Sequence, residues 1–289
     1  MADLTPDARA HNVDESVRAT FGAGATDGRL WLAVSELTPL CVYARSRTTE
    51  TALVQLPDSK AGPWLVVRKR WWWPRARDRV KGAFRTTIAA RSPARREFDA
   101  LTRLAALPGG PFAPLPLGAF EERSGGVLQS CGLLVTALPD TTDLSAWLAR
   151  KAGSATLVNT VLADLAVRVA AMHDAGLVDK EMHPRNVLVD PVAKRTWKID
   201  VAKQRASRGV ARPVSPSAAI DDLACLDVGL SRLATAEERS AFLSAYVEAR
   251  RPRLTLDAAQ LSRKVAARRA HHDPKEAPRL PPAGDLATQ

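Results

Sequence analysis

A chain of 289 residues with 46% apolar content is long enough to bury one large core or two lobes, and no run approaches the roughly 20 consecutive apolar residues that span a bilayer. Its net charge of +11 and isoelectric point of about 10.1 favour a polyanionic partner: nucleic acid, an anionic membrane surface or a phosphorylated substrate. Three widely separated cysteines, Cys41, Cys131 and Cys225, fit neither a disulfide framework nor a metal spacing, and the polar start MADLTPDARAHNVDE lacks a secretory signal, so the expected compartment is the cytoplasm.

Residues 1–28 are polar and rich in Ala and Gly, and are expected to form a flexible leader with at most a short helix. Between Leu30 and Leu56 the apolar residues alternate in places (RLWLAV, CVYARS, TALVQL), which predicts antiparallel strands. Pro63 precedes another strand, Trp64–Lys69, which runs into Trp71-Trp72-Trp73. From Arg68 to Arg103 a dense run of cations meets only Asp78, Glu97 and Asp99. Indoles beside Arg and Lys suit an anionic membrane surface; packing beneath the next helix is the plainer reading of the tryptophans. Stacking on single-stranded nucleic acid would use similar residues and is the least favoured partner.

Ser92-Pro93 opens a helix running to about Leu107, with Ser92 as N-cap and Pro93 at the first helical position; Pro108-Gly109-Gly110 stops it. Pro114 to Leu138 again reads as strands, turning at Ser124-Gly125-Gly126. Beyond Leu138 the period becomes helical, over Leu144–Ala149, Ala155–His173, Ile220–Leu233, Ala236–Ala249 and Leu256–Ala270, before a polar, Pro-rich tail expected to be disordered. Strands first and helices later, with one hairpin embedded among the helices, predict an α+β chain. The expected divisions are leader 1–28, β-rich lobe 29–138, helical lobe 139–271 and tail 272–289.

The most informative stretch is Gly176–Val201, GLVDKEMHPRNVLVDPVAKRTWKIDV. Two strand-like runs, Val187–Val189 and Trp197–Ile199, flank a turn at Asp190-Pro191. Asn186 stands just before the first and Asp200 just after the second. Kinase folds present an amide and a carboxylate this way to Mg²⁺, which keeps much of its own water and bridges nucleotide phosphates. Turn chemistry is the plainer reading of Asn and Asp at strand ends, and Asp190, before Pro191, serves it better.

The order of six segments extends the likeness: VVRKRWW, SPARREFDALTRL, GLLVTALPDTTDL, MHDAGLVDKEMHPRNVLVD, WKIDVAKQ and DDLACLDVGLSRL. Together, over roughly residues 30–250, they resemble the bacterial lipopolysaccharide kinase group, whose members phosphorylate inner-core sugars. The resemblance implies a two-lobed protein-kinase-like fold, with a β-rich N-lobe and a mainly helical C-lobe, and an ATP- and Mg²⁺-dependent activity. Lys69 would reach the phosphates with Glu97 as its partner. Val67 would pack on the adenine, with Thr136 and Leu138 at the hinge, and Asn186 and Asp200 would hold the metal. Strand alternation is consistent with this, placing Leu65, Val67 and Lys69 on one face and Arg68 on the other.

Where the family places the Asp that accepts the hydroxyl proton, this chain has Glu181, one methylene longer. Asp179 is the rival base or a structural acceptor. His183 is expected to stabilise the loop, and Asp222 to anchor it by accepting backbone N–H groups. No Gly-rich loop precedes Lys69; Arg45–Thr49 is the best substitute for covering phosphates. The acceptor implied is a lipid-linked glycan or lipopolysaccharide precursor, reached from the inner face of the cytoplasmic membrane. The alternative is a non-catalytic module that binds nucleotide or anionic lipid.

Overall fold

The computed structural model describes residues 7–11, 13–21, 27–59, 62–73, 91–150, 153–201, 205–206, 212–251 and 253–272. The chain divides into two compact units, Met1–Asp140 with Trp197–Gln204, and Thr141–Thr196 with Arg205–Gln289. The division gives an α+β architecture, with an antiparallel sheet in the first unit and mainly helices in the second.

In the first unit the strands are β1 (Asp7–His11), β2 (Pro39–Arg45), β3 (Thr49–Ser59), β4 (Gly62–Trp72), β5 (Pro116–Ser124) and β6 (Val127–Thr136). They form one antiparallel sheet in the order β1-β5-β6-β4-β3-β2. β4 lies inside it, with Lys69 opposite Thr51 on one side and Leu133 on the other. Its apolar alternation fits a strand paired on both edges.

Two expectations are corrected here. RLWLAV is not a strand but the centre of α2 (Asp27–Glu36). Leu30, Trp31 and Val34 recur at helical spacing and all three are buried, so the 3.6-residue period prevails over a short alternation. Much of the expected leader is also ordered. β1 pairs with β5 from Asp7↔Arg123 to His11↔Ala119. α1 (Glu15–Thr20) is capped by Asp14, whose side chain accepts the Ser16 N–H at 2.8 Å. Val13 and Val17, four residues apart, are buried and join Leu30, Trp31, Val34, Val54, Val66 and Phe120 in one core cluster. Two valines in a polar stretch are enough to dock it, each gaining about 1.5–3 kcal/mol on full burial.

Trp31 stacks on Phe120 with centroids 5.3 Å apart. The stack needs Gly132, where an added Cβ would lie 2.1 Å from the Trp31 ring. On the following helix, α3 (Pro93–Ala105), Ser92 accepts the Arg95 N–H at 3.1 Å, as expected of an N-cap. The buried face of α3 holds Ala94, Phe98, Leu101 and Leu104, and among them Glu97.

The second unit contains short strands β7 (Thr142–Asp143), β8 (Leu177–Val178), β9 (Val187–Asp190) and β11 (Arg205–Ala206), and β10 (Arg195–Lys198) carries the chain out of it. Its helices are α4 (Leu144–Ala149), α5 (Ala155–Asp174), α6 (Pro216–Leu233), α7 (Ala236–Ala249) and α8 (Ala258–His272). Caps agree with the sequence: Ser154 on α5, Ser215 on α6, and a capping box of Thr235 and Glu238 on α7. Among the described residues α5 alone is long and apolar enough to cross a membrane. Half of its most apolar window is buried within the protein, and it carries Asp164, Arg168 and His173 in side-chain hydrogen bonds.

Candidate active site

The first unit assembles one half of the predicted constellation. β4 turns Val66 and Arg68 inward on one face and presents Val67 and Lys69 on the other. The Lys69 ammonium is hydrogen-bonded to Glu97 Oε1, and Asp200 Oδ1 lies 4.0 Å from it. The Lys69 side chain is 16% exposed, Glu97 1% and Asp200 55%. Burial alone would discharge Lys69, but the facing Glu97 and Asp200 carboxylates outweigh it and hold its pKa above the ordinary lysine value. The other carboxylate oxygen of Glu97, Oε2, is buried without a hydrogen-bond partner among the described residues. The pair is thus rigidly seated rather than fully satisfied, a costly arrangement that points to use.

Asp200 has φ of 55°, in the left-handed region. Asp tolerates that conformation better than most residues. Just before it, Lys198 is buried; its backbone N–H donates to Phe112 O at 2.7 Å and its Nζ to Ile199 O at 2.6 Å. These bonds fasten the segment carrying Asp200 to the first unit.

Arg68, the neighbour of Lys69, does different work. Its guanidinium donates to the carbonyls of Val34, Ser35 and Leu37, at 2.9, 3.1 and 2.8 Å, and to Glu50 at 3.0 Å. It satisfies the carbonyl end of α2 from inside the sheet. Glu50 also accepts from Arg45, and these bonds overcome its burial to hold its carboxyl below the ordinary range. The sequence marked Arg68 as facing away from Lys69, but nothing in it announced the helix that Arg68 binds.

The other expected positions in this unit have their own partners. Thr136 spends its backbone N–H on Leu115 O at 2.9 Å, and its hydroxyl accepts the Leu115 N–H at 3.0 Å. Leu138, two residues on, is half-buried. The Arg45–Thr49 turn uses its amides internally: Ser46 N–H donates to Thr49 O, and Thr48 and Thr49 N–H donate to Ser46 Oγ. Those three amides are engaged within the turn. Trp71, Trp72 and Trp73 are half-buried, while Arg75, Arg77, Arg79 and Lys81 lie outside the described residues.

The second unit assembles the catalytic-loop candidates. Asp179 is fully buried; its N–H donates to Asp222 at 2.7 Å, and its own Oδ1 accepts the Glu181 N–H at 3.1 Å. Asp222 therefore anchors the loop as expected, and the Asp179 carboxylate shapes the backbone at Glu181. Glu181 itself is half-buried. Its carbonyl accepts the Asn186 side-chain N–H at 3.0 Å, which fixes the amide and identifies Oδ1 as its acceptor atom. The Asn186 N–H donates to His183 O at 2.9 Å, and the His183 ring lies 3.5 Å from Cys225 Sγ. Pro184 packs on Gly229 of α6, where an added Cβ would lie 2.6 Å from the proline ring.

Behind the loop is a buried network that sequence reasoning did not foresee. His173 meets Tyr246 OH at 2.7 Å and Asp222 at 3.2 Å, and Arg250 donates to Tyr246 OH at 3.0 Å and to Asp174 at 3.0 Å. Burial pushes the Tyr246 hydroxyl up to about 12 and raises Asp222 against the lowering effect of His173. Only the helical spacing of His173 on the inner face of α5 could have hinted at it.

Among the described residues no group of three or more His, Cys, Asp or Glu is placed to hold a metal. The predicted ligands are an amide oxygen, Asn186 in the second unit, and a carboxylate, Asp200 in the first, both of the hard oxygen type.

Comparison with known proteins agrees with this geometry. No curated protein matches the chain. The solved structure titled "WaaP in complex with acyl carrier protein" superposes with a TM-score of 0.61, covering 91% of this chain and 98% of that one at 18% identity. At that identity the likeness shows the fold, with an antiparallel sheet in one part and helices in the other. The model of the lipopolysaccharide kinase (Kdo/WaaP) family matches residues 52–246, a span that holds Lys69, Glu97, Glu181, Asn186 and Asp200, and the chain belongs to that family of kinases.

Proposed function

We propose that the protein transfers the γ-phosphoryl group of ATP to a sugar hydroxyl of a lipopolysaccharide core or related lipid-linked glycan. The observation that carries this reading is the Lys69–Glu97 pair with Asp200 at 4.0 Å, a buried ammonium held charged by two carboxylates. Lys69 serves the phosphates, Glu97 holds Lys69 in place, and Val67 packs on the base. Asn186 and Asp200 would hold Mg²⁺, which neutralises phosphate charge as the bond to the leaving oxygen breaks. Glu181 accepts the proton of the attacking hydroxyl, and Asp179 keeps Glu181 in position through its backbone N–H. The protein works in the cytoplasm at the inner face of the membrane, where its acceptor is anchored.

The test is transfer of labelled phosphate from ATP to delipidated lipopolysaccharide core sugar, with Mg²⁺ or with chelator. Label should appear on the sugar only with Mg²⁺. A protein that binds Mg²⁺-ATP but labels no core sugar would sustain the second reading, a non-catalytic nucleotide-binding module, which Glu181 in place of the family's Asp favours.

A further inference from the structure

α3 lies on the face of the first unit's sheet that carries Lys69. Residues directly opposite one another in an antiparallel ladder project to the same side. The ladder sets Lys69 against Leu133, Trp71 against Cys131 and Cys131 against Glu121. Lys69 and Trp71 are two residues apart on β4, so Lys69 and Glu121 share one face. Two carboxylates tie α3 to it. One is Glu97 on the helix, which meets Lys69. The other is Glu121 on β5, which meets the start of the helix. Glu121 Oε1 accepts the Ser92 N–H at 3.3 Å and faces the Ser92 hydroxyl, whose oxygen accepts the Arg95 N–H at 3.1 Å. The second oxygen, Oε2, accepts from Arg123 Nε at 2.9 Å, and Arg123 Nη1 donates to Gly126 O in the β5–β6 turn at 3.1 Å.

Packing alone does not call for this arrangement. Ala94, Phe98, Leu101 and Leu104 already bury the inner face of α3, and such contacts hold a helix to a sheet without fixing its rotation. A carboxylate buried to 4% exposure beside a fully buried serine is costly unless it is paired. Burial would raise the Glu121 carboxyl, but Ser92 and Arg123 outweigh it and hold it below the ordinary range, so a negative charge sits at the positive end of the helix. Glu97 meanwhile has little of its own to hold it. Its Oε2 has no hydrogen-bond partner among the described residues, and its Oε1 meets only the group that it serves. Its place is therefore set by the helix backbone, whose directional anchor lies five residues and about 7.5 Å along the axis away at Ser92.

We infer that Glu121 is a positioning residue for phosphoryl transfer: through Ser92 it fixes the register of α3 and so holds Glu97 against Lys69. The inference rests on the role proposed above for the Lys69–Glu97 pair. Glu121 acts through that pair and touches no substrate.

The experiment is a double-mutant cycle read by kcat and KM for ATP on delipidated core sugar and by ATP affinity in calorimetry. Glu121→Gln keeps the size of the side chain and removes its charge. It should weaken ATP binding and lower kcat/KM for ATP by about 10–10²-fold, the scale of loss for a misplacement of about 1 Å. In a Glu97→Gln background the same change should cost less than about twofold, because its effect passes through a contact already lost. Glu122→Gln is the control for charge. Glu122 is next on β5, faces the other way and accepts the Ser130 hydroxyl at 2.7 Å; its variant should match the wild type in both measurements. Ser92→Ala breaks the link from the helix side and leaves Glu121 with Arg123. It should reproduce the Glu121→Gln losses and add little to them, and it carries the test if Glu121→Gln does not fold. A Glu121→Gln protein with a lowered melting temperature but unchanged kcat/KM and ATP affinity would be merely less stable, and the inference would fall. Losses that multiply in the Glu97→Gln background would also overturn it. If the wild type binds ATP but labels no core sugar, the proposed function fails while the same non-additivity in ATP affinity sustains the inference. A wild type that binds no ATP would end both.

Discussion

Two carboxylates carry separable predictions. Asp200 sits at φ of 55°, so Asp200→Ala would mix loss of a ligand with backbone strain of roughly 1 kcal/mol. Asp200→Asn keeps the conformation, because Asn also tolerates the left-handed region. It should abolish Mg²⁺-dependent ATP binding in calorimetry with little change in melting temperature; unchanged Mg²⁺-dependent binding would remove Asp200 from the metal. Glu181→Gln should lower kcat by about 10²–10⁴-fold with KM for ATP unchanged, since a proton acceptor acts in the transition state. Glu181→Asp tests whether the loop is built for the longer side chain; recovery of most of the activity would show tolerance of the shorter one. The buried position of Asp179 and its bond to the Glu181 N–H make it a poor substitute base. The sequence singled out Lys69, Glu97 and Asp200 through the order of segments, and the structure sets those three side by side. It set Glu181 ahead of Asp179 by its place five residues before Asn186, and the burial of Asp179 widens that separation.

Among the elements, α6 and α2 show how a missing side chain can be structural. Gly229 lets Pro184 lie directly on α6, with 2.6 Å to a Cβ that is not there. Gly229→Ala should push the loop that carries Glu181 and Asn186. Misplacement of about 1 Å can cost about 10²-fold in turnover, while ATP affinity, assigned in the proposed function to Lys69 and Glu97, should hold. Steady-state kinetics beside equilibrium nucleotide binding check this, and parallel loss of both would mean general unfolding instead. Gly132→Ala should clash with Trp31 and destabilise the first unit by about 1–3 kcal/mol in denaturant titration. The sequence showed α3, α5 and β4 clearly, since caps and long periods mark them. It hid α2 because a three-residue alternation inside RLWLAV mimics a strand. It also hid β1, whose pairing with β5 is a long-range choice that no local pattern records.

For the whole molecule, acid stability reports how the buried carboxylates are seated. Glu50 and Glu121 are held below their ordinary 4.5 by arginine and hydrogen-bond partners that outweigh burial. Their stabilisation is present above about pH 4.5 and is lost as pH falls through the depressed folded values. Asp222 runs the other way: burial raises it from 3.8. The folded state then binds its proton more readily than the unfolded state, and its contribution improves as pH falls from the raised value toward 3.8. Melting temperature should drop below about pH 4.5, and Glu50→Gln should be less stable at neutral pH with a shallower acid decline. An acid decline of unaltered steepness in that variant would remove Glu50 from the account. None of this was legible beforehand, because it depends on which acids the fold buries beside which cations.

The membership of Trp197–Gln204 in the first unit has a consequence during synthesis. When residue 140 leaves the ribosome, Lys69 and Glu97 are already out, but Asp200 and the Lys198–Phe112 bond are not. At roughly 5–20 residues per second, the remaining stretch takes several seconds to emerge. Throughout that interval the nascent chain holds Lys69 and Glu97 without the Asp200 carboxylate that faces the lysine. The first unit begins early but is closed only by residues 197–204, so a product that stalls before them has an incomplete first unit.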